Sequence, residues 1–84
     1  MTYRVVIDKP ALKALSKIPP PFFDKLTQAI RNLGANPRPN GCKKLKGRPG
    51  YRIRVGDYRV IYDINDSIVT IYILSIGDRK DIYD

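Results

Sequence analysis

The chain is 84 residues long, 43% hydrophobic and 29% charged, which excludes a disordered tail and leaves room for a single folded domain. Its 16 Lys+Arg outnumber 8 Asp+Glu, giving a net charge of +8 and a pI near 9.9. That balance points to a polyanion as partner: nucleic acid, an anionic membrane surface or an acidic protein. One cysteine, Cys42, and no histidine exclude an internal disulfide, the usual zinc sites and a Cys–His nucleophile, and no metal or cofactor is expected. The opening apolar run Val5, Val6, Ile7 is too short for a signal core or a membrane span, so a cytoplasmic protein with no membrane association is expected.

Residues 3–7 are largely β-branched and aromatic and read as a strand. Asp8 can cap a helix whose first turn tolerates Pro10, with Leu12, Leu15 and Ile18 at helical spacing. The run Pro19, Pro20, Pro21 ends that helix and can start the next. Phe22, Leu26, Ile30 and Leu33 then form a second stripe, with Gly34 as a left-handed cap and Pro37 just beyond. Both stripes are ordinary core and predict a helix hairpin. Residues 35–49, rich in Asn, Pro and Gly around Lys43, Lys44 and Lys46, read as a loop or short turn. Three strands follow, over 51–55, 58–64 and 67–76, joined by two-residue turns at Gly56-Asp57 and Asn65-Asp66. The expected fold is α+β, a single domain of order β-α-α-β-β-β, with the helix hairpin packed on one face of an antiparallel sheet.

The turns fix the register, and the register sorts the side chains. One face carries Ile53, Val55, Tyr58, Val60, Tyr62, Ile64, Val69, Ile71 and Ile73 and should meet the helices. The other carries Arg52, Arg54, Arg59, Asp63, Thr70 and Tyr72, with Ile61, Ile68, Leu74 and Ile76 beside them. It should be open and basic. Arg54 falls directly opposite Arg59, a like-charge pair that costs stability on a scale of roughly 0.2–1 kcal/mol. Such a cluster is a poor choice for stability alone and reads as an anion site. The surrounding window supports this: residues 43–59 hold seven basic side chains, Arg48 among them, and one acid, Asp57. Arginine suits phosphate because its fork donates parallel hydrogen bonds. Arg79 and Lys80 follow the last strand, and Tyr72 and Tyr83 are candidates to stack on bases.

Three segments carry a resemblance: Leu45-Lys46-Gly47, the hairpin 51–62 (YRIRVGDYRVIY), and the run 75–83 (SIGDRKDIY). Together they resemble the RelE/ParE toxin superfamily, and residues 1–84 fit it as one RelE-like toxin domain. The resemblance implies the toxin of a type II toxin–antitoxin system. Such a toxin is a ribosome-dependent endoribonuclease, or mRNA interferase, that cuts messenger RNA in the A site and inhibits translation. An acidic RelB-like antitoxin would neutralise it in a hetero-oligomer. Arg52, Arg54, Arg59, Arg79 and Tyr83 match the family's catalytic positions. Lys43, Lys44, Lys46, Arg48, Tyr72 and Lys80 are the expected RNA contacts. Arg52 and Arg54 stand where the family's best-known member has lysines, and arginine cannot act as a general base. The expected reaction is metal-independent attack by the substrate's own 2′-OH. The alternatives are a ParE-like toxin acting on DNA gyrase, a non-catalytic RNA- or ribosome-binding module, and a toxin that has lost its activity.

Overall fold

Val5, Val6 and Ile7 are stiff, β-branched side chains, and they form β1 (Arg4–Ile7) in a computed structural model that describes residues 2–78. Asp8 then stands at the N-cap of α1 (Lys9–Ser16) with extended backbone, but its carboxylate makes no capping hydrogen bond. The buried stripe of this helix is Ala11 and Leu15, continued by half-buried Ile18, whereas Leu12 is 53% exposed. Leu15 and Ile18 of the expected stripe are in place, while Ala11 takes the position expected for Leu12, and its small side chain lies where α1 packs on the sheet.

A cis peptide joins Pro20 and Pro21 ahead of α2 (Phe22–Ala35). Leu26, Ile30 and Leu33 are buried along it, as the spacing predicts. Gly34 is not the cap. It lies inside the helix and is buried, and its carbonyl accepts a hydrogen bond from the Tyr3 N–H at 2.7 Å. A Cβ there would come within 3.2 Å of the Tyr3 carbonyl oxygen. This glycine serves the close approach of β1, and extended Asn36 before Pro37 ends the helix.

The remaining strands are β2 (Lys43–Lys44), β3 (Tyr51–Val55), β4 (Tyr58–Asn65) and β5 (Thr70–Asp78). The short β2, expected as loop, forms because β3 offers it an edge, pairing Lys43 with Arg52 and Lys44 with Tyr51. The sheet order is β1-β5-β4-β3-β2, with β1 parallel to β5 and every other pair antiparallel. The expected all-antiparallel sheet is thus corrected to a mixed one. The helices and the three-strand meander return the chain to the end of the sheet from which β1 set out.

The Gly56-Asp57 turn is as expected. Val55 pairs with Tyr58, and Gly56 takes the left-handed conformation at φ +60°. The second connection differs: Asn65 pairs with Thr70 across the loop 66–69. The Asn65 side-chain oxygen accepts from the N–H groups of Ser67 and Ile68 at 3.1 and 3.3 Å, which builds a wider turn. Val69, expected in the core, ends this loop half-buried at φ +52°.

A further correction lies in β5. Ile61 pairs with Ser75 but Tyr62 pairs with Ile73, so Leu74 is an extra residue, a β-bulge. The bulge reverses the alternation beyond it. Ile76, expected on the open face, turns to the helices and is 5% exposed, opposite Val60. The core comprises Ala11, Leu15, Leu26, Ile30, Leu33, Ile53, Val60, Tyr62, Ile71, Ile73 and Ile76. Each fully buried aliphatic side chain there contributes about 1.5–3 kcal/mol. No described helix is long and apolar enough to cross a membrane.

Candidate nucleic-acid interface

The register places the basic side chains in two rows on the face away from the helices. In one row Arg54 on β3 lies directly opposite Arg59 on β4, and Arg59 in turn faces Gly77 on β5. In the other row Lys43 on β2 lies opposite Arg52 on β3, which faces Ile61 on β4. Opposed residues have Cβ atoms about 5 Å apart, and the rows lie about 7 Å from each other along β3. The like-charge pairing expected for Arg54 and Arg59 is present, and a second pair, Lys43 with Arg52, joins it. Gly77 presents no side chain of its own beside Arg59.

The face is less open than expected. Arg54 is exposed and Arg59 half-buried, but Arg52 is only 6% exposed. Ile61 at 2% and Thr70 are buried on the same side, and Leu45 is buried outside the helix-side core. Burying a guanidinium so far demands polar partners, and Arg52 has one. Tyr72 is half-buried on this face, opposite Asp63.

Lys44, Lys46 and Arg48 are exposed around β2 and the loop after it. A hydrogen bond from the Leu45 N–H to the Gly50 carbonyl at 3.0 Å closes that loop, and Gly47 and Gly50 supply its left-handed turns at φ +73° and +117°. The result leaves Lys46 and Arg48 exposed on the loop between β2 and β3. Arg79, Lys80 and Tyr83 lie outside the described residues.

The sequence reading missed a network at the other end of β3. Arg38 donates to Asp66 through both terminal nitrogens at 3.5 and 3.0 Å, and through Nε to the Tyr51 hydroxyl at 3.3 Å. Its guanidinium also stands 5.3 Å from the centre of the Tyr51 ring. The Tyr3 hydroxyl donates to Asp66 at 2.7 Å. The Arg38 hydrogen bonds hold the Asp66 carboxyl below its ordinary value, while Asp66 pushes the Tyr3 phenol up. Beneath this network the Tyr62 hydroxyl donates to the Pro37 carbonyl at 2.7 Å, and burial raises its phenol well above the ordinary value. These bonds tie the root of the 36–50 segment to β1, β3, β4 and the 66–69 loop. Arg38 and Asp66 are 28 residues apart, and no local pattern announces the pair.

In its chemistry, the basic face is suited to holding phosphates in line. Two opposed guanidinium groups can surround one phosphate, and exposed Lys43 in the second row can take its neighbour.

Comparison with known proteins agrees with this geometry. Residues 5–83 match the family model described as the ParE toxin of the type II toxin–antitoxin system parDE. The chain is 37% identical over 87 residues to the RelE1 protein of Methanocaldococcus jannaschii, covering 99% of this chain and 97% of that one. It is 28% identical over 83 residues to the mRNA interferase toxin RelE of Escherichia coli K12, covering 95% and 86%. The fold superposes on RelE in the archaeal RelE–RelB complex of Pyrococcus horikoshii OT3 with a TM-score of 0.84. That match has 36% identity and covers 98% of this chain and all of that one. The strand order, the cationic rows and these likenesses converge: the chain belongs to the RelE/ParE family of type II toxin–antitoxin toxins.

Proposed function

We propose that this protein is the RelE-type toxin of a toxin–antitoxin pair, a cytoplasmic endoribonuclease that cuts messenger RNA on the ribosome. The observation that carries the reading is the directly opposed pair of arginines, Arg54 and Arg59, in the middle of the basic face. The curated relative from E. coli is an mRNA interferase, which supports the activity.

In the proposed reaction the 2′-OH of the substrate attacks the adjacent phosphorus in line. A bond forms from that oxygen to phosphorus, and the bond to the 5′-oxygen of the next nucleotide breaks. The products are a 2′,3′-cyclic phosphate and a 5′-hydroxyl, which takes up the proton that the 2′-OH gives up. Arg54 and Arg59, joined by Arg79, stabilise the charge that builds on the phosphoryl oxygens. Arg52, almost wholly buried, adds positive potential from beneath the face, and Tyr83 stacks on or orients the nucleotide. Lys43, Lys44, Lys46, Arg48, Tyr72 and Lys80 hold the flanking RNA. The sequence has no histidine, and arginine does not deprotonate, so proton transfer is the weakest part of the machinery. An enzyme with so little acid–base equipment gains most from a ribosome that aligns its substrate.

The expected partner is an acidic RelB-like antitoxin. Complexes of RelE with RelB among the structural neighbours support this, as does the net charge of +8. The edge strand β1, with the apolar cleft between it and α2, offers such a partner backbone and side-chain contacts on the helix side.

The test is induction of the chain in a bacterium, followed by primer extension on a translated message and on an untranslated copy. Cuts confined to translated codons, absent with Arg59→Ala and suppressed by the antitoxin, are the expected result. Normal cutting by Arg59→Ala would overturn the site. The ParE description of the matching family model favours one second reading, poisoning of DNA gyrase. Growth arrest with intact messages and gyrase-trapped DNA breaks would establish that reading instead.

A further inference from the structure

The proposed cleavage ends with a proton on the 5′-oxygen, and the arginines of the basic face hold their own protons too tightly to supply it. Among the described residues, three side chains on that face belong to types used in proton transfer: Lys43, Asp63 and Tyr72. Asp63 lies four residues beyond Arg59 on β4, about 13 Å along the strand, and Tyr72 stands opposite it on β5. Both are too far to serve a phosphate held between Arg54 and Arg59.

Lys43 is close. It pairs with Arg52, which is two residues from Arg54 on the same side of β3. Lys43 and Arg54 are therefore diagonal neighbours about 7–8 Å apart, within reach of a long side chain. Lys43 is exposed, and among the described residues it has no ion pair, so its flexible four-carbon stem can lean over the row of Arg54 and Arg59. The next residue does not share this position: Lys44 pairs with Tyr51 and belongs to the other side of the sheet. The face thus divides by chemistry. Arginines stand where charge must be held, and one lysine stands where a proton can move.

We propose that Lys43 is the general acid of the cleavage. Its ammonium group donates a proton to the 5′-oxygen as the bond from that oxygen to phosphorus breaks. The bond from the 2′-oxygen to phosphorus forms in the same step, the 2′-OH proton passes to water, and the amine then takes a proton back from water. The proposal rests on the RNA-cleavage reading above.

The experiment is single-turnover cutting on ribosomes by the purified wild type and by Lys43→Arg. Two messages are compared, a natural one and one with sulfur in place of the bridging 5′-oxygen at the cut. A thiolate leaves without needing a proton. Arginine keeps the charge at position 43 and guards the edge strand as lysine does, but it does not give up its proton. Lys43→Arg should cut the natural message roughly 100-fold or more slowly than wild type, the usual worth of general acid–base catalysis. It should cut the sulfur message at close to the wild-type rate. Near-wild-type cutting of the natural message would reduce Lys43 to a charge that binds RNA. Equal slowing on both messages would make it a positioning residue. Either result overturns the general acid while the nuclease stands, because the wild type still cuts. A wild type that cuts neither message overturns both.

Discussion

Replacing Gly56 by alanine perturbs two things at once, and the structure sets the size of each. Gly56 sits at φ +60°, where a side chain costs about 1–2 kcal/mol. A Cβ there would also lie 2.5 Å from Cε1 of Phe22, well inside contact distance, so the ring must move. Phe22 packs on Tyr58 with ring centres 5.3 Å apart, and displacing it gives up about 0.5–1.5 kcal/mol of aromatic contact. The sum is a destabilisation of about 1.5–3.5 kcal/mol, which lowers Tm by roughly 6–28 °C in a domain of this size. The measurement is urea and thermal unfolding followed by circular dichroism, made in an Arg59→Ala background so that the chain can be produced. A double-mutant cycle separates the two terms. With Phe22→Ala already in place, Gly56→Ala should cost only its backbone share, about 1–2 kcal/mol. A cost below about 0.5 kcal/mol, or one that does not depend on the residue at position 22, refutes the reasoning.

Asp66→Asn probes the Arg38 network through pH. The Arg38 hydrogen bonds depress the folded-state pKa of Asp66, so its stabilisation is present above the ordinary carboxylate value of 3.8 and is lost as pH falls through the lower folded value. Wild type should exceed Asp66→Asn in stability at neutral pH, and the gap should close in acid; a gap that persists into strong acid would contradict the assignment. Tyr62→Phe leaves the Pro37 carbonyl without its donor and should cost about 1 kcal/mol in urea unfolding, whereas an unchanged midpoint would show that water replaces the hydroxyl. Lys46→Gln and Arg48→Gln should each weaken RNA binding at all sequences and reduce the slope of log affinity against log salt by about 0.7. An unchanged slope would place those side chains off the RNA path.

The central hairpin was legible because its information is local. Gly56-Asp57 fixes the turn, the turn fixes the pairing, and the pairing sets Arg54 against Arg59. The stripe of α2 was legible for the same reason, since Leu26, Ile30 and Leu33 obey one period. What escaped depends on distant parts of the chain. Gly34 looks like a cap until β1 is known to lie on it. Lys43 and Lys44 have little tendency to form a strand by themselves and do so because β3 has an edge to offer. The bulge at Leu74 carries no residue signal, yet it decides that Ile76 is core. In the site, the basic positions could be read from the hairpin, but the burial of Arg52 and the tie between Arg38 and Asp66 could not. Both depend on segments that meet only in the folded chain.

The pairing of β1 with β5 also bears on the protein's own synthesis. Arg4 finds its partner at Thr70, so the first strand made waits for the last. β5 lies between β1 and β4 and is the strand on which α1 rests. A nascent chain that stops short of it has helices without a floor and a hairpin without a third strand. Folding is then tied to late translation, and contacts of such long range form slowly. A toxin built this way cannot complete its sheet until its own chain is nearly finished.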